Sequence, residues 1–155
     1  MTQERIRVGV IGAGVGALHL AAYTEMPRVE MIALAGLDDD RVRRVAEEYH
    51  VPQTFRDYED LLAAPGIDAV SICLPNALHA PVTIAALRAG KHVLVEKPLA
   101  RTAAEGREMI SAAAATDRVL MIAFNHRYRG DVRWLKQYID SGALGRIYYA
   151  KAECI

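Results

Sequence analysis

Ile6-Arg7-Val8-Gly9-Val10-Ile11-Gly12-Ala13-Gly14-Val15-Gly16-Ala17 is the stretch on which the reading of this chain turns. The β-branched run from Ile6 to Ile11 stops at Gly12 and Gly14, and Val15, Leu18, Ala22 and Met26 then recur at helical spacing until Pro27 closes the segment. A strand followed at once by a helix is one half of a βαβ unit, and the same alternation continues outward from it. Val29 to Ala35 repeats the strand signal, and Val42, Val45, Ala46 and Tyr49 line one face of a second helix for which Asp39 or Asp40 is available as N-cap. A weak strand at Gln53 to Phe55 and a short helix at Tyr58 to Ala63 come next. Ala69 to Leu74 is apolar on both faces, as buried parallel strands are, and Pro75 ends it. His79 to Ala89 reads as a helix stopped by Gly90, Val93 to Glu96 as a strand, Thr102 to Thr116 as an Ala-rich helix, and Val119 to Ala123 as a sixth strand. Strict β/α alternation implies an α/β fold, a doubly wound parallel sheet with helices on both faces, because each crossover must be right-handed and must cover the sheet.

Beyond Ala123 the pattern changes. Asn125 to Gly130 is polar and Arg-rich, Val132, Leu135 and Ile139 form a helical stripe ended by Ser141-Gly142, and Arg146 to Ile155 is expected to be an extended strand. A lone terminal strand needs a sheet to join. The expected organisation is therefore a nucleotide-binding domain over residues 1–123, with 124–155 as the first helix and strand of a second α/β domain that is otherwise missing.

The 155 residues suffice for a buried core, and 52% hydrophobic with 25% charged residues excludes a disordered chain. Lys and Arg number 19 against 19 Asp and Glu, so no long-range positive field is present to gather nucleic acid or anionic lipid, and neither is expected as a partner. The uncharged run from Ala69 to Leu87 contains Pro75, Asn76, His79 and Pro81 and is not expected to span a membrane. No apolar leader follows Met1, so the expected location is cytoplasmic. Cys73 and Cys154 stand far apart with no ligand-spaced neighbour, which leaves two reduced thiols and no metal site.

Gly12 and Gly14 lie at the first strand-to-helix turn, where absent Cβ atoms let a backbone approach a pyrophosphate that free N–H groups and the helix dipole attract. Ala17 completes G-x-G-x-x-A at the position expected to pack helix on strand, and Gly12, Gly14, Val15 and Gly16 are the candidate diphosphate-holding residues. Gly12, Gly14 and Gly16 also spell G-x-G-x-G, as in S-adenosylmethionine sites, but Val10 stands where those sites carry an acid. At the end of the second strand, where a ribose-binding acid is expected, stand Gly36 and Leu37. Asp38 is the nearest carboxylate, available either to the ribose or as a helix cap, and Arg41 or Arg43 is within reach of a 2′-phosphate. NAD and NADP both remain open as the cofactor.

Ser71-Ile72-Cys73-Leu74-Pro75-Asn76 to His79, together with Ala89-Gly90-Lys91-His92-Val93-Leu94-Val95-Glu96-Lys97-Pro98-Leu99-Ala100, is more specific than the glycine turn. With Asn125-His126-Arg127-Tyr128 and Ser141-Gly142-Ala143-Leu144-Gly145-Arg146-Ile147, it resembles the glucose-fructose oxidoreductase and inositol 2-dehydrogenase (Gfo/Idh/MocA) family over essentially the whole chain. The resemblance implies a Rossmann domain, a nicotinamide dinucleotide as partner, and hydride transfer to or from a carbinol carbon of a sugar or polyol-like small molecule. It implies that Lys97 is the catalytic amine beside the nicotinamide, on a turn held by a cis Pro98, with Glu96 orienting it. Leu74, Pro75, Asn76 and His79 are expected to line the cofactor crevice and Arg127 to face the substrate. His19 reads as a packing residue on the first helix, and Trp134 and Tyr138 as core or interface aromatics. Family members continue into a second domain that supplies most of the substrate pocket, the subunit interface of a homo-oligomer and usually a histidine acid or base. The expectation for these 155 residues is thus cofactor binding without useful turnover. A different class of function, a non-enzymatic nucleotide-binding or interaction module, rests on the terminal strand pairing with a partner.

Overall fold

In the computed structural model, which describes residues 5–153, six strands alternate with helices. They are β1 (Ile6–Ile11), α1 (Gly16–Thr24), β2 (Val29–Ala35), α2 (Asp39–Glu48), β3 (Gln53–Phe55), α3 (Tyr58–Ala63), β4 (Ala69–Ile72), α4 (Asn76–Arg88), β5 (His92–Val95), α5 (Ala103–Thr116) and β6 (Leu120–Ile122). Every pairing is parallel, and the sheet order is β3-β2-β1-β4-β5-β6. Side chains of successive residues leave opposite faces of a strand, so both faces must be covered. Ile11, Ala33, Ile72 and Val95 join one buried cluster with Leu61, Val82, Leu87 and Met109. Val10 and Leu34 join the other with Leu20, Val42 and Val45.

Two element ends differ from the sequence expectation for definable reasons. Helix α4 begins at Asn76, three residues before His79, because Pro75 at φ −57° already carries the geometry that starts a helix. Pro81 then lies inside α4, where it removes one hydrogen bond close to the N-terminal end. At α2 the cap falls to Asp38, one of the two roles the sequence offers its carboxylate, and not to Asp39 or Asp40; its Oδ1 accepts from the Arg41 amide at 3.0 Å. Thr102 caps α5 by accepting from the Glu105 amide, while the Glu105 carboxylate accepts from the Arg101 amide at 3.0 Å.

The contacts divide the chain after Ala123 into a first unit, residues 1–123, and a second, residues 124–155. The second unit holds a 3-10 turn, Asn125–Tyr128, and α6 (Gly130–Asp140). Trp134 and Tyr138 are exposed on α6 and stack ring on ring at 5.3 Å, so neither is a core residue. The expected strand from Arg146 is not formed over residues 146–153, and Cys154 and Ile155 lie outside the described residues. A strand forms only where a neighbour takes up its amides and carbonyls.

Candidate functional site

The sheet order reverses between β1 and β4: connections from β1 run toward β2 and β3, those from β4 toward β5 and β6. Helices leaving neighbouring strands on opposite sides open a crevice at the carboxyl ends of these two strands. Gly12 ends β1 there at φ +106°, and a Cβ on it would stand 2.3 Å from the Cys73 carbonyl oxygen and 3.3 Å from the Leu74 side chain. Backbone thus lies against backbone at the floor of the crevice. Gly14 and Val15 are exposed above it. Val15 is the N-cap of α1 and brings no side-chain acceptor, while the Ala17 and Leu18 amides turn back onto the Gly14 and Val15 carbonyls at 3.2 and 3.0 Å, so that no side chain covers the start of the helix. An exposed glycine turn over an uncapped helix start fits a diphosphate, whose charge the dipole favours. The close approach of α1 to β1 occurs at Gly16, whose missing Cβ would lie 2.7 Å from Val10 Cγ1, and not at Ala17, which is only half-buried. The helix starts at Gly16, so that residue is the one turned toward the strand.

At the end of β2, Asp38 divides its carboxylate between the α2 cap and Arg41, whose Nε lies 3.7 Å from Oδ2. Arg41 also reaches the glycine turn, with Nη1 3.7 Å from the Cβ position of Gly14. An acid and a guanidinium therefore stand together beside the expected ribose position, an arrangement the sequence offered only as alternatives.

Leu74 is half-buried and Pro75 and Asn76 are exposed at the β4 end of the crevice. His79 does not line it. The ring is 1% exposed, with Nδ1 2.7 Å from the Pro98 carbonyl oxygen and Nε2 2.8 Å from the Leu74 carbonyl oxygen. It ties the loop after β4 to the loop after β5. A neutral imidazole carries one N–H and donates to one of these carbonyls at a time, whereas an imidazolium donates to both. The Lys97-Pro98 bond is cis. Lys97 is exposed, and its amine has no hydrogen bond or ion pair among the described residues, leaving it available to a ligand. Its backbone N–H donates to Glu96 Oε2 at 3.1 Å.

His19 is not a simple packing residue. Its Nε2 lies 3.0 Å from Glu96 Oε1 and its Nδ1 3.2 Å from Ser71 Oγ, which is also 2.5 Å from the Tyr23 hydroxyl. The sequence signal for this was faint: His19 and Tyr23 sit four residues apart on α1, one helical face, opposite a serine in an otherwise apolar strand. Ser71 is fully buried, so the group is a structural network and not a nucleophile. Burial raises the Tyr23 phenol above its ordinary pKa and keeps it protonated near neutrality. The neighbouring Cys73 thiol is pushed up to about 12 by burial, with the Glu96 charge adding to the effect, and stays an unreactive thiol. Arg127 belongs to the second unit, where its guanidinium lies 5.0 Å over the Phe124 ring.

Residues 6–124 match the family described as an oxidoreductase family with an NAD-binding Rossmann fold, GFO_IDH_MocA. The chain belongs to the GFO_IDH_MocA family. It is similar to D-glucoside 3-dehydrogenase of Escherichia coli, 35% identical over all of this chain and 45% of that protein. Among solved structures, levoglucosan dehydrogenase in complex with NADH superposes with a TM-score of 0.86 at 36% identity, covering 92% of this chain and 41% of that one. Scyllo-inositol dehydrogenase from Lactobacillus casei, with bound NAD(H) and scyllo-inositol, gives 0.87 at 27% identity over 92% and 43%. The chain spans less than half the length of the relatives it matches. Among the described residues no group of three or more His, Cys, Asp or Glu is placed to hold a metal, and no helix is long and apolar enough to cross a membrane.

Proposed function

We propose that this chain is the dinucleotide-binding part of a nicotinamide-dependent dehydrogenase of sugars or polyols and binds NAD or NADP. The observation that carries the reading is the exposed Gly14-Val15 turn over an uncapped helix, placed where the sheet order reverses. The similar dehydrogenases whose names specify inositol, a glucoside or levoglucosan support the substrate class. A bound nicotinamide supplies the hydride acceptor or donor. Gly14, Val15 and Gly16 hold the diphosphate on backbone amides, Gly12, whose own amide donates to the Ala35 carbonyl at 2.8 Å, supplies the tight floor beneath them, and Leu74, Pro75 and Asn76 border the crevice on its β4 side. Lys97, just past the carboxyl end of β5, donates a hydrogen bond to the reacting oxygen and carries its proton as the carbonyl forms or is reduced.

Titration with NADH is expected to change its fluorescence with a Kd of about 0.01–1 mM, in the range common for enzyme ligands. No change with either NADH or NADPH at millimolar concentration would overturn the reading. Lys97→Ala is expected to leave NADH affinity within about threefold, since an exposed amine contributes little to uniform binding, and to abolish any residual polyol oxidation. A large loss of affinity would instead make Lys97 a cofactor-holding residue.

The choice between the two cofactors lies with Asp38 and Arg41, which oppose each other: the carboxylate repels a 2′-phosphate and the guanidinium attracts one. Asp38→Asn keeps a good N-cap while removing the charge, and is expected to raise the NADPH/NADH affinity ratio by about fivefold; Arg41→Ala is expected to lower it. Competition titrations with both reduced cofactors check this. Equal ratios in all three proteins would remove this pair from the ribose site.

A further inference from the structure

We propose that His19 is a positioning residue that links the diphosphate-binding helix to the Lys97 turn through Glu96. The inference rests on the reading in which Lys97 faces the nicotinamide. Its footing is the chain of hydrogen bonds behind the crevice. An ionised carboxylate only accepts, so His19 Nε2–H donates to Glu96 Oε1. In the neutral ring Nδ1 then accepts from the Ser71 hydroxyl, and Ser71 Oγ accepts from the Tyr23 hydroxyl. The second carboxylate oxygen accepts from the Lys97 backbone N–H. Every polar atom of this part-buried group has a partner of the right sense, and the side chains of His19 and Glu96 are only 12% and 19% exposed. Because α1 carries both the diphosphate turn and His19, the link sets where the Lys97 backbone stands relative to the bound diphosphate. His79 holds the other side of the same turn at Pro98. An exposed lysine side chain has ample rotamer freedom, so the position of its backbone decides which directions its amine covers.

The test compares His19→Asn with His19→Gln. The asparagine amide stays near Ser71 but is too short for Glu96, whereas the glutamine amide reaches the Nε2 position and can donate to it. Acetylation of Lys97 by acetic anhydride is followed by site-resolved mass spectrometry with and without saturating NADH, and NADH affinity is measured in parallel. In the unaltered chain NADH is expected to slow acetylation of Lys97 by about tenfold or more, as occupancy demands. His19→Asn is expected to bind NADH within about threefold of normal yet lose most of that protection, and His19→Gln to regain it.

Unchanged protection in His19→Asn overturns the inference, as does failure of His19→Gln to restore it. A tenfold loss of NADH affinity in His19→Asn also overturns it, by showing a role in shaping the diphosphate turn alone. Absence of protection in the unaltered chain, with NADH bound, overturns the placement of Lys97 itself and the inference with it. Should His19→Asn not melt cooperatively, Glu96→Leu reads the same link at nearly constant size. It can accept from neither His19 nor the Lys97 amide, and it is expected to lose protection in the same way; full protection in Glu96→Leu overturns the inference.

Discussion

Gly12→Ala is expected to unfold much of the first unit or to leave it unable to bind a dinucleotide, whereas Gly14→Ala is expected to fold normally and lose binding alone. At Gly12 the added Cβ meets the Cys73 carbonyl oxygen at 2.3 Å and its carbonyl carbon at 2.9 Å. Both are backbone atoms of the segment leaving β4, which cannot turn aside as a side chain can. The φ of +106° adds strain for any residue with a Cβ. Together these destabilise by about 3 kcal/mol or more, in the range reserved for strained backbone and overpacking. At Gly14 the nearest atom to the added Cβ is Arg41 Nη1 at 3.7 Å, the mobile end of a side chain, so the fold has room. The methyl group would stand where a diphosphate must approach the amides, and affinity for NADH is expected to fall by at least about tenfold. Thermal unfolding followed by circular dichroism, with NADH titration of each variant, separates the two effects. A Gly12→Ala protein with unchanged melting and binding would show that β1 and β4 can move apart, and would undo the account of the crevice floor.

His79→Leu is expected to lower stability by about 2–5 kcal/mol, since it leaves the Leu74 and Pro98 carbonyls without their buried partner. For a domain of this size that corresponds to a fall in melting temperature of roughly 5–15 °C. The loss is expected to reach the site as well, because the ring is the tie between the loops after β4 and β5. Leu74 and Pro75 on one side and Lys97 on the other would lose their common reference. NADH affinity is expected to fall more in His79→Leu than in Lys97→Ala, although Lys97 is the exposed residue and His79 the buried one. If His79→Leu binds NADH as tightly as the unaltered chain at a temperature where both are folded, the two loops are held by something other than this ring.

Much of the fold could be read in the sequence because periodicity is local. Six strands and the helices between them follow from which residues recur every two positions and which every three or four, and Gly12, Pro75 and Thr102 mark ends whose backbone geometry those residues themselves impose. The strand that failed, over residues 146–153, is the instructive exception. Its β-branched and aromatic composition is a local property, but a strand exists only through a neighbour's hydrogen bonds, which composition does not supply. The glycine turn and Lys97 were legible for the same local reason, as parts of motifs contiguous in the chain. The alternating elements, the glycine turn and the lysine past the fifth strand all follow from residues that are neighbours in the chain. That His79 is a buried strut rather than a lining residue, that Gly16 and not Ala17 packs on β1, and that His19, Ser71 and Glu96 meet emerges only once the sheet is assembled. His19 and Glu96 are 77 residues apart, and hydrogen bonds between such distant groups depend on where the sheet order reverses, a fact that no local spacing encodes.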